Sequence, residues 1–210
     1  RPLKWLAISA GQFQVGFTRQ QSADPYDTMF VDSSPASLAF GPGRDIGLKL
    51  HFFQWKDRLF QELAVFNGAG VNSGGNDNVD FMYQFRMGIM PLGEMSGVEG
   101  DLRRGARPLL LRFSTGYLFH PMPAGRDLDG ESGMDNLFVH QIAAEAALIW
   151  KGFSLNGEFY YRLEDHGDAV KQLPVPEKRL RPFFGGFAQL GYTFKCIMIQ
   201  LTARYSYVEP

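Results

Sequence analysis

Cysteine is almost absent from the chain: Cys196 stands alone among 210 residues, so no internal disulfide can form and thiols say nothing about the compartment. Its simplest role is that of a turn residue. An excess of either charge is also missing, since 21 Lys and Arg against 22 Asp and Glu leave a net of -1, and no basic footprint for nucleic acid results. No stretch approaches the roughly 20 apolar residues of a membrane helix, so any membrane role has to be carried by strands. The four histidines, His51, His120, His140 and His166, share no metal-ligand spacing. A nucleophile elbow, a phosphate-cradling glycine loop and paired zinc ligands are all lacking, so neither enzymatic activity, nor a metal, nor a cofactor is expected. The chain opens at Arg1 with neither methionine nor a secretory leader, which suggests processing or a piece of a longer protein.

What the chain has in quantity is glycine, 24 residues, and aromatic side chains, 14%, a combination that suits strands joined by turns better than helices. The stretch FSLNGEFYYR, Phe153 to Arg162, shows the pattern. Phe153, Leu155, Gly157, Phe159 and Tyr161 fall on one face of a strand, and Ser154, Asn156, Glu158, Tyr160 and Arg162 on the other. About nine such segments occur, each around ten residues long where soluble strands usually have five or six. They lie near Leu6 to Val15, Ile46 to Phe53, Leu59 to Asn67, Phe81 to Met90, Leu109 to Phe119, Leu137 to Trp150, Phe153 to Leu163, Phe184 to Phe194 and Ile197 to Val208. The first and third are less clean, Gln61 falling on the oily face.

Alternation alone fits a half-buried strand of any soluble sandwich. The connections discriminate better. They run long (Phe17 to Arg44), short (Gln54 to Asp57), long (Gly68 to Val79), then the exception Pro91 to Pro108, long (Pro121 to Asp135), short (Lys151, Gly152), long (Glu164 to Arg181) and short (Lys195, Cys196). An antiparallel up-and-down transmembrane β-barrel places tight turns on one side of the outer membrane and extended loops on the other, and so produces this rhythm. Aromatic residues gather towards strand ends, at Trp150, Phe153, Tyr161, Tyr192, Phe194, Tyr205 and Tyr207, where a lipid-facing belt would sit. The opposite faces hold Lys49, His51, Glu62, Arg86, Arg112, Glu145, Glu158, Arg162 and Arg204, both signs mixed, as in a water-filled pore. With Lys151 and Gly152 on the inner side of the membrane, the first and last strands both run outward. Bacterial barrels close with an even strand count, so residues 1–210 are expected to form a single barrel segment, incomplete at both ends.

Several stretches resemble the phosphate-selective porin O and P family of bacterial outer-membrane porins: GQFQVGF (Gly11 to Phe17), GPGRDIGLKLH (Gly41 to His51), LFQELAVFNGAG (Leu59 to Gly70), NDNVDFMYQFRM (Asn76 to Met87) and GYTFKCIMIQLTARYSYVEP (Gly191 to Pro210). The resemblance covers most of the chain through diffuse strand patterns and the GRDIG element, with no catalytic signature. It implies a barrel of about 16 strands, a homotrimer, and a pore whose arginines and lysines pass anions. It also implies further strands beyond ARYSYVEP.

Individual motifs carry alternatives. In GPGRDIG, either the first long loop folds inward and Arg44 helps form a constriction, with Asp45 beside it, or Arg44 and Asp45 make a surface salt bridge. Lys49, Arg86, Arg112, Arg162 and Arg204 either form an anion path or pair with Glu62, Glu145 and Glu158 to keep the pore wet. RDLDGESGMD, Arg126 to Asp135, reads as a solvated acidic loop rather than a calcium loop, because its closing glutamate is missing. NSGGNDNVD, Asn72 to Asp80, reads as a polar turn. His51 falls among the pore-facing residues, whereas His140 falls on the oily face, at an interface position. The expected function is passive diffusion of small hydrophilic solutes, with a lean towards anions such as phosphate, and outer-membrane lipid is the expected surrounding. The alternative is a structural outer-membrane barrel, plugged, serving as scaffold or sheath for a partner complex.

Overall fold

The computed structural model describes residues 5–71, 81–103, 108–122, 137–165, 180–194, 196–197 and 199–209. They form one antiparallel sheet of nine strands in strict sequence order: β1 (Leu6–Gln14), β2 (Arg44–Gln54), β3 (Leu59–Phe66), β4 (Met82–Ile89), β5 (Leu110–Met122), β6 (Leu137–Trp150), β7 (Phe153–Asp165), β8 (Leu180–Phe194) and β9 (Ile199–Val208). β1 and β9 are its edges. Each strand pairs with the next along the chain, which is the up-and-down order that alternating links require. The motifs RDLDGESGMD and NSGGNDNVD, with His166, lie outside the described residues.

Strand lengths follow the alternating segments, with two extensions. β5 continues through Pro121 and β8 begins before Pro182, although proline removes a ladder donor. Both positions lie past the end of a neighbour. The β4–β5 ladder stops at Tyr83 opposite Phe119, and the β8–β9 ladder stops at Val208 opposite Gly185. Each proline therefore has one neighbouring strand to satisfy instead of two. At the other rim, Lys151 and Gly152 both take positive φ, 46° and 95°, the two-residue turn whose twist matches paired strands.

The burial of the two faces is inverted relative to a soluble sheet. Leu63, Val65, Tyr83, Phe113, Ile142, Phe153, Leu155, Phe159, Leu190 and Leu201 are exposed, Leu201 to 64%. Behind them Glu62, Gln84, Arg86, Gln141, Glu145, Asn156, Glu158 and Gln189 are buried. Gln61 stands on the outer face, beside Phe52 and Met87 in the register. Aromatic rings cluster on the outer face at both rims. Tyr83, Phe119, Phe138 and His140 form one group with Tyr117, whose hydroxyl is 2.8 Å from His140 Nδ1, and Phe184 meets Tyr207 at 6.0 Å on the same rim. On the short-turn rim Trp5 stacks on Phe52, and Phe153, Tyr192 and Phe194 follow one another at 4.6 and 4.9 Å.

What covers the polar face is chain, not a second sheet. The first loop, residues 15–43, enters from the long-loop rim and carries two short helices, α1 (Arg19–Ser22) and α2 (Pro35–Phe40). Pro35 opens α2, and the Ser34 hydroxyl caps it by accepting from Ser37 N–H at 3.0 Å. The β4–β5 link enters from the opposite rim. Each is anchored by apolar contacts on the inner face. Val15, Phe17, Ala36 and Phe40 of the loop pack with Phe66, Leu118, Ala143, Tyr160 and Phe187 of the wall. Met90 and Met95 of the link pack with Phe60, Ala147 and Ile149.

Glycine makes room for the loop. A Cβ on Gly116 of β5 would stand 2.6 Å from the Phe17 carbonyl oxygen, and one on Gly185 of β8 would stand 2.7 Å from the Phe40 ring. Gly116→Ala is therefore expected to push the loop off the wall and lower stability by about 1–3 kcal/mol. Gly157→Ala, on the outer face, meets only the Phe187 carbonyl at 3.4 Å and is expected to stay within about 0.5 kcal/mol of the parent. Chemical unfolding of both variants checks the difference; equal effects would show that the loop does not depend on this close approach.

Candidate functional site

The inner face brings together charged side chains from strands far apart in the sequence. Arg86 on β4 reaches Glu145 on β6, with Nε and Nη2 donating to Oε1 at 2.9 and 2.7 Å. Its Nη1 donates to the Ser22 hydroxyl of the loop at 3.0 Å and lies 3.5 Å from Glu62 Oε2 on β3. Glu62 also faces Lys49 Nζ at 3.6 Å and His51 Nδ1 at 3.3 Å. Arg112 on β5 lies 4.6 Å over the Phe60 ring, and its Nε is buried with no hydrogen-bond partner.

The loop is docked on this array by its backbone. The amides of Arg19 and Gln20, at the start of α1, donate to Glu145 Oε2 and Glu158 Oε1, each at 2.8 Å. Two wall carboxylates thus satisfy N–H groups that a helix start leaves without internal partners, and their charge suits that end of the helix. Glu158 Oε2 also accepts from the Tyr160 hydroxyl, which lies 3.2 Å from Thr18 Oγ1. The Arg19 side chain crosses the interior. It donates to Asn156 Oδ1 on β7, and its Nη2 donates to the carbonyls of Ser96, Gly97 and Val98, the last at 2.8 Å. Desolvation pulls the Arg19 pKa below its ordinary value, and the carboxylates of Glu99, Glu145 and Glu158 oppose that shift.

Other wall cations hold the same loop. Arg162 donates from Nε to Gln141 Oε1 and from Nη2 to the Ala39 carbonyl at 2.9 Å, with its guanidinium 5.0 Å over the Phe40 ring. Arg204 donates to the Asp32 carbonyl at 2.9 Å and covers the Phe30 ring at 4.3 Å. Of the cations expected to form a path, Arg162 and Arg204 hold the loop, Arg86 is neutralised in an ion pair, Lys49 faces Glu62, and Arg112 remains beside open space. The first loop does fold inward. Asp45, however, is buried, its carboxylate accepting from the amides of Ile46 and Gly68, both at 2.7 Å, so a surface pair with Arg44 is not what forms. Arg44 is exposed at the mouth beside the loop. The belt residues Trp150, Phe153, Tyr161, Phe194, Tyr205 and Tyr207 are exposed on the outer face, and Tyr192 is half-buried there. Cys196 is an exposed turn residue.

Two recesses flank the loop. One of about 250 Å³ opens towards the short-turn rim, between Arg19, Arg86, Arg112 and His51 on one hand and Asp57, Glu62 and Glu94 on the other, with Phe53 and Phe60 as apolar walls. The other, about 660 Å³, opens towards the long-loop rim beside Gln14, Gln20, Gln21, Asp24 and Arg44. Ser22 and Ala23, at the end of α1, line both. Among the described residues no group of His, Cys, Asp and Glu has metal-binding geometry.

Sequence reading did not single out Arg19, Glu99, Phe17, Phe40 or Tyr160. A signal was present. Tyr160, Leu118 and Phe187 are large apolar residues on otherwise polar faces, which an interior holding only water would not require.

Comparison with known proteins yields no family model that matches the chain, no curated protein that matches it and no solved structure that matches its fold. The porin resemblance therefore rests on the stretches quoted above.

Truncating Glu145 to Ala would leave Arg86 buried with only Glu62 nearby, and would remove the acceptor of the Arg19 amide. The expected cost is about 3 kcal/mol, while the Arg86→Met, Glu145→Leu double variant loses less than Glu145→Ala alone. Equilibrium unfolding of the three proteins tests this, and a double variant weaker than the single one would contradict it.

Proposed function

We propose that the protein is an outer-membrane channel of porin type, whose sheet belongs to a barrel wall and whose covered face lines a passage for small hydrophilic solutes. The observation that carries this reading is the inversion of the faces. Apolar side chains stand exposed along every strand while carboxylates and guanidinium groups are buried behind them, an arrangement costly in water and favourable in lipid. The aromatic rims support it. From Phe153 to Tyr161 along β7 is about 26 Å at ~3.3 Å per residue, before any strand tilt, of the order of an outer-membrane apolar band of about 25 Å.

Movement through the passage is diffusion past fixed charges; it needs no cofactor and no energy source. Solutes enter beside Arg44, pass Ser22 and Ala23, and leave through the recess lined by Arg112, His51, Glu62 and Glu94. Because Glu145 neutralises Arg86, and acidic groups face Arg112 and Lys49, anion preference is modest rather than strict. A homotrimer in the outer membrane, with anions such as phosphate among the solutes, is the finer form of this proposal. A plugged structural barrel that scaffolds a partner complex is the second reading, favoured by how fully the loop and link cover the β5 to β8 wall.

Planar-bilayer recording of the intact protein decides between them. Steady channels with a reversal potential leaning to anions in a salt gradient support the porin reading, whereas silence from a verified inserted barrel supports the scaffold. Phe159→Arg, on the outer face, is expected to cost about 2–4 kcal/mol of folded stability in bilayers. A neutral outcome would remove lipid from that face.

A further inference from the structure

The first loop and the β4–β5 link come from opposite rims of the sheet, yet one buried side chain belongs to the hydrogen bonding of both. Glu99 lies in the link and is 2% exposed. Its Oε1 accepts from Gln20 Nε2 at 3.3 Å, and its Oε2 accepts from the Met29 amide at 2.8 Å, both in the loop. The same Oε2 accepts from Gln189 Nε2 on β8 at 2.7 Å. The Glu99 amide donates to the Asp27 carbonyl at 2.8 Å, and its carbonyl accepts from Asn156 Nδ2 on β7 at 3.2 Å. From the other side Arg19 donates to three successive carbonyls of the link, Ser96 to Val98.

We propose that Glu99 is a latch that makes the loop and the link a single moving body, so the space held by α1 between the two recesses opens only when both segments leave the wall together. The reason is the cost of partial release. If the loop alone withdrew, Glu99 would keep only Gln189 as a side-chain donor while remaining a buried carboxylate, and Arg19 would leave three carbonyls behind. If the link alone withdrew, the Met29 amide and the Gln20 side chain would lose their acceptor. A buried charge stripped of donors is among the most expensive states a protein interior can hold, so the two intermediate states are disfavoured relative to concerted release. Loop and link are thereby energetically coupled, and a disturbance of the link at the short-turn rim acts on the passage from the far side. The coupling stands on the contacts of Glu99 and Arg19; only its consequence for permeation rests on the channel reading.

Glu99→Gln tests the latch at nearly constant shape, because one carboxylate oxygen becomes an NH₂ facing N–H donors. Hydrogen–deuterium exchange of the folded protein in detergent micelles is expected to quicken about tenfold in residues 16–40 and in residues 90–103 together, in both segments by the same factor. Acceleration confined to one segment, or absent from both, overturns the proposal. A second variant joins loop and link covalently. A Cβ on Gly97 would lie 3.4 Å from Asp27 Oδ2, so Asp27→Cys with Gly97→Cys, in a Cys196→Ser background, can cross-link loop to link. Oxidation is expected to leave exchange in the two segments matched and, because the joined segments still leave the wall as one body, to leave any gating fluctuation in bilayers in place. Fluctuations that vanish on oxidation and return on reduction would show that loop and link move independently in the parent, and count against the latch. If no variant conducts while exchange remains coupled, the channel reading fails and the latch stands; if the protein conducts but exchange is uncoupled, the latch fails and the channel reading stands.

Discussion

A sheet that buries its charged side must supply every buried charge with a partner, and the rest of this structure follows from that constraint. Glu145 and Glu158 sit on adjacent strands, opposite one another in the β6–β7 register. Side by side in a dry interior, two carboxylates would repel and would each lack donors. Arg86 answers one of them from β4, and the first two amides of α1 answer both. The helix therefore has to enter the interior at that height, which in turn demands that the loop pass over Gly116 and that Phe17 and Phe40 find apolar seats on the wall. Polar satisfaction sets where the loop goes. Apolar packing then holds it.

That division explains why the wall was legible in the sequence and its filling was not. Period two is an intrinsic property of the extended chain, so Phe153 to Arg162 announces two unlike faces, and the rhythm of long and short links announces antiparallel neighbours in order. Ladder ends beyond Phe119 and Leu163 escaped, because Pro121 and Pro182 look like terminators unless it is known that the next strand has already stopped. The loop carries no such periodicity. RQQS reads as an ordinary polar turn, and nothing within it says that its amides point at two glutamates 126 and 138 residues away. Glu99, in a glycine-rich stretch, is equally silent. The link Pro91 to Pro108 broke the alternation of lengths, and that irregularity was the sequence's one hint that the segment does something other than turn.

The polar residues read as a solute path also divide in a way their types did not reveal. Arginine suits both roles, since its planar fork grips carbonyls and carboxylates as readily as it meets a passing anion. Position decides between them. Arg162 and Arg204 stand where the loop crosses β7 and β9, so their donors meet carbonyl oxygens of Ala39 and Asp32, whereas Arg112 faces the recess with a free Nε and an aromatic ring beneath. A tally of cations along the wall therefore overstates the charge that any solute would meet.

A loop docked in this way inherits a tension. The contacts that place α1 against the wall are also those that fill the space before it, so rigidity of the loop and occupation of the polar face come from the same bonds. Loosening the apolar seats at Phe17 and Phe40 would free the loop but strand the carboxylates of Glu145 and Glu158 without their amide donors, and the penalty for that is larger than the gain in space.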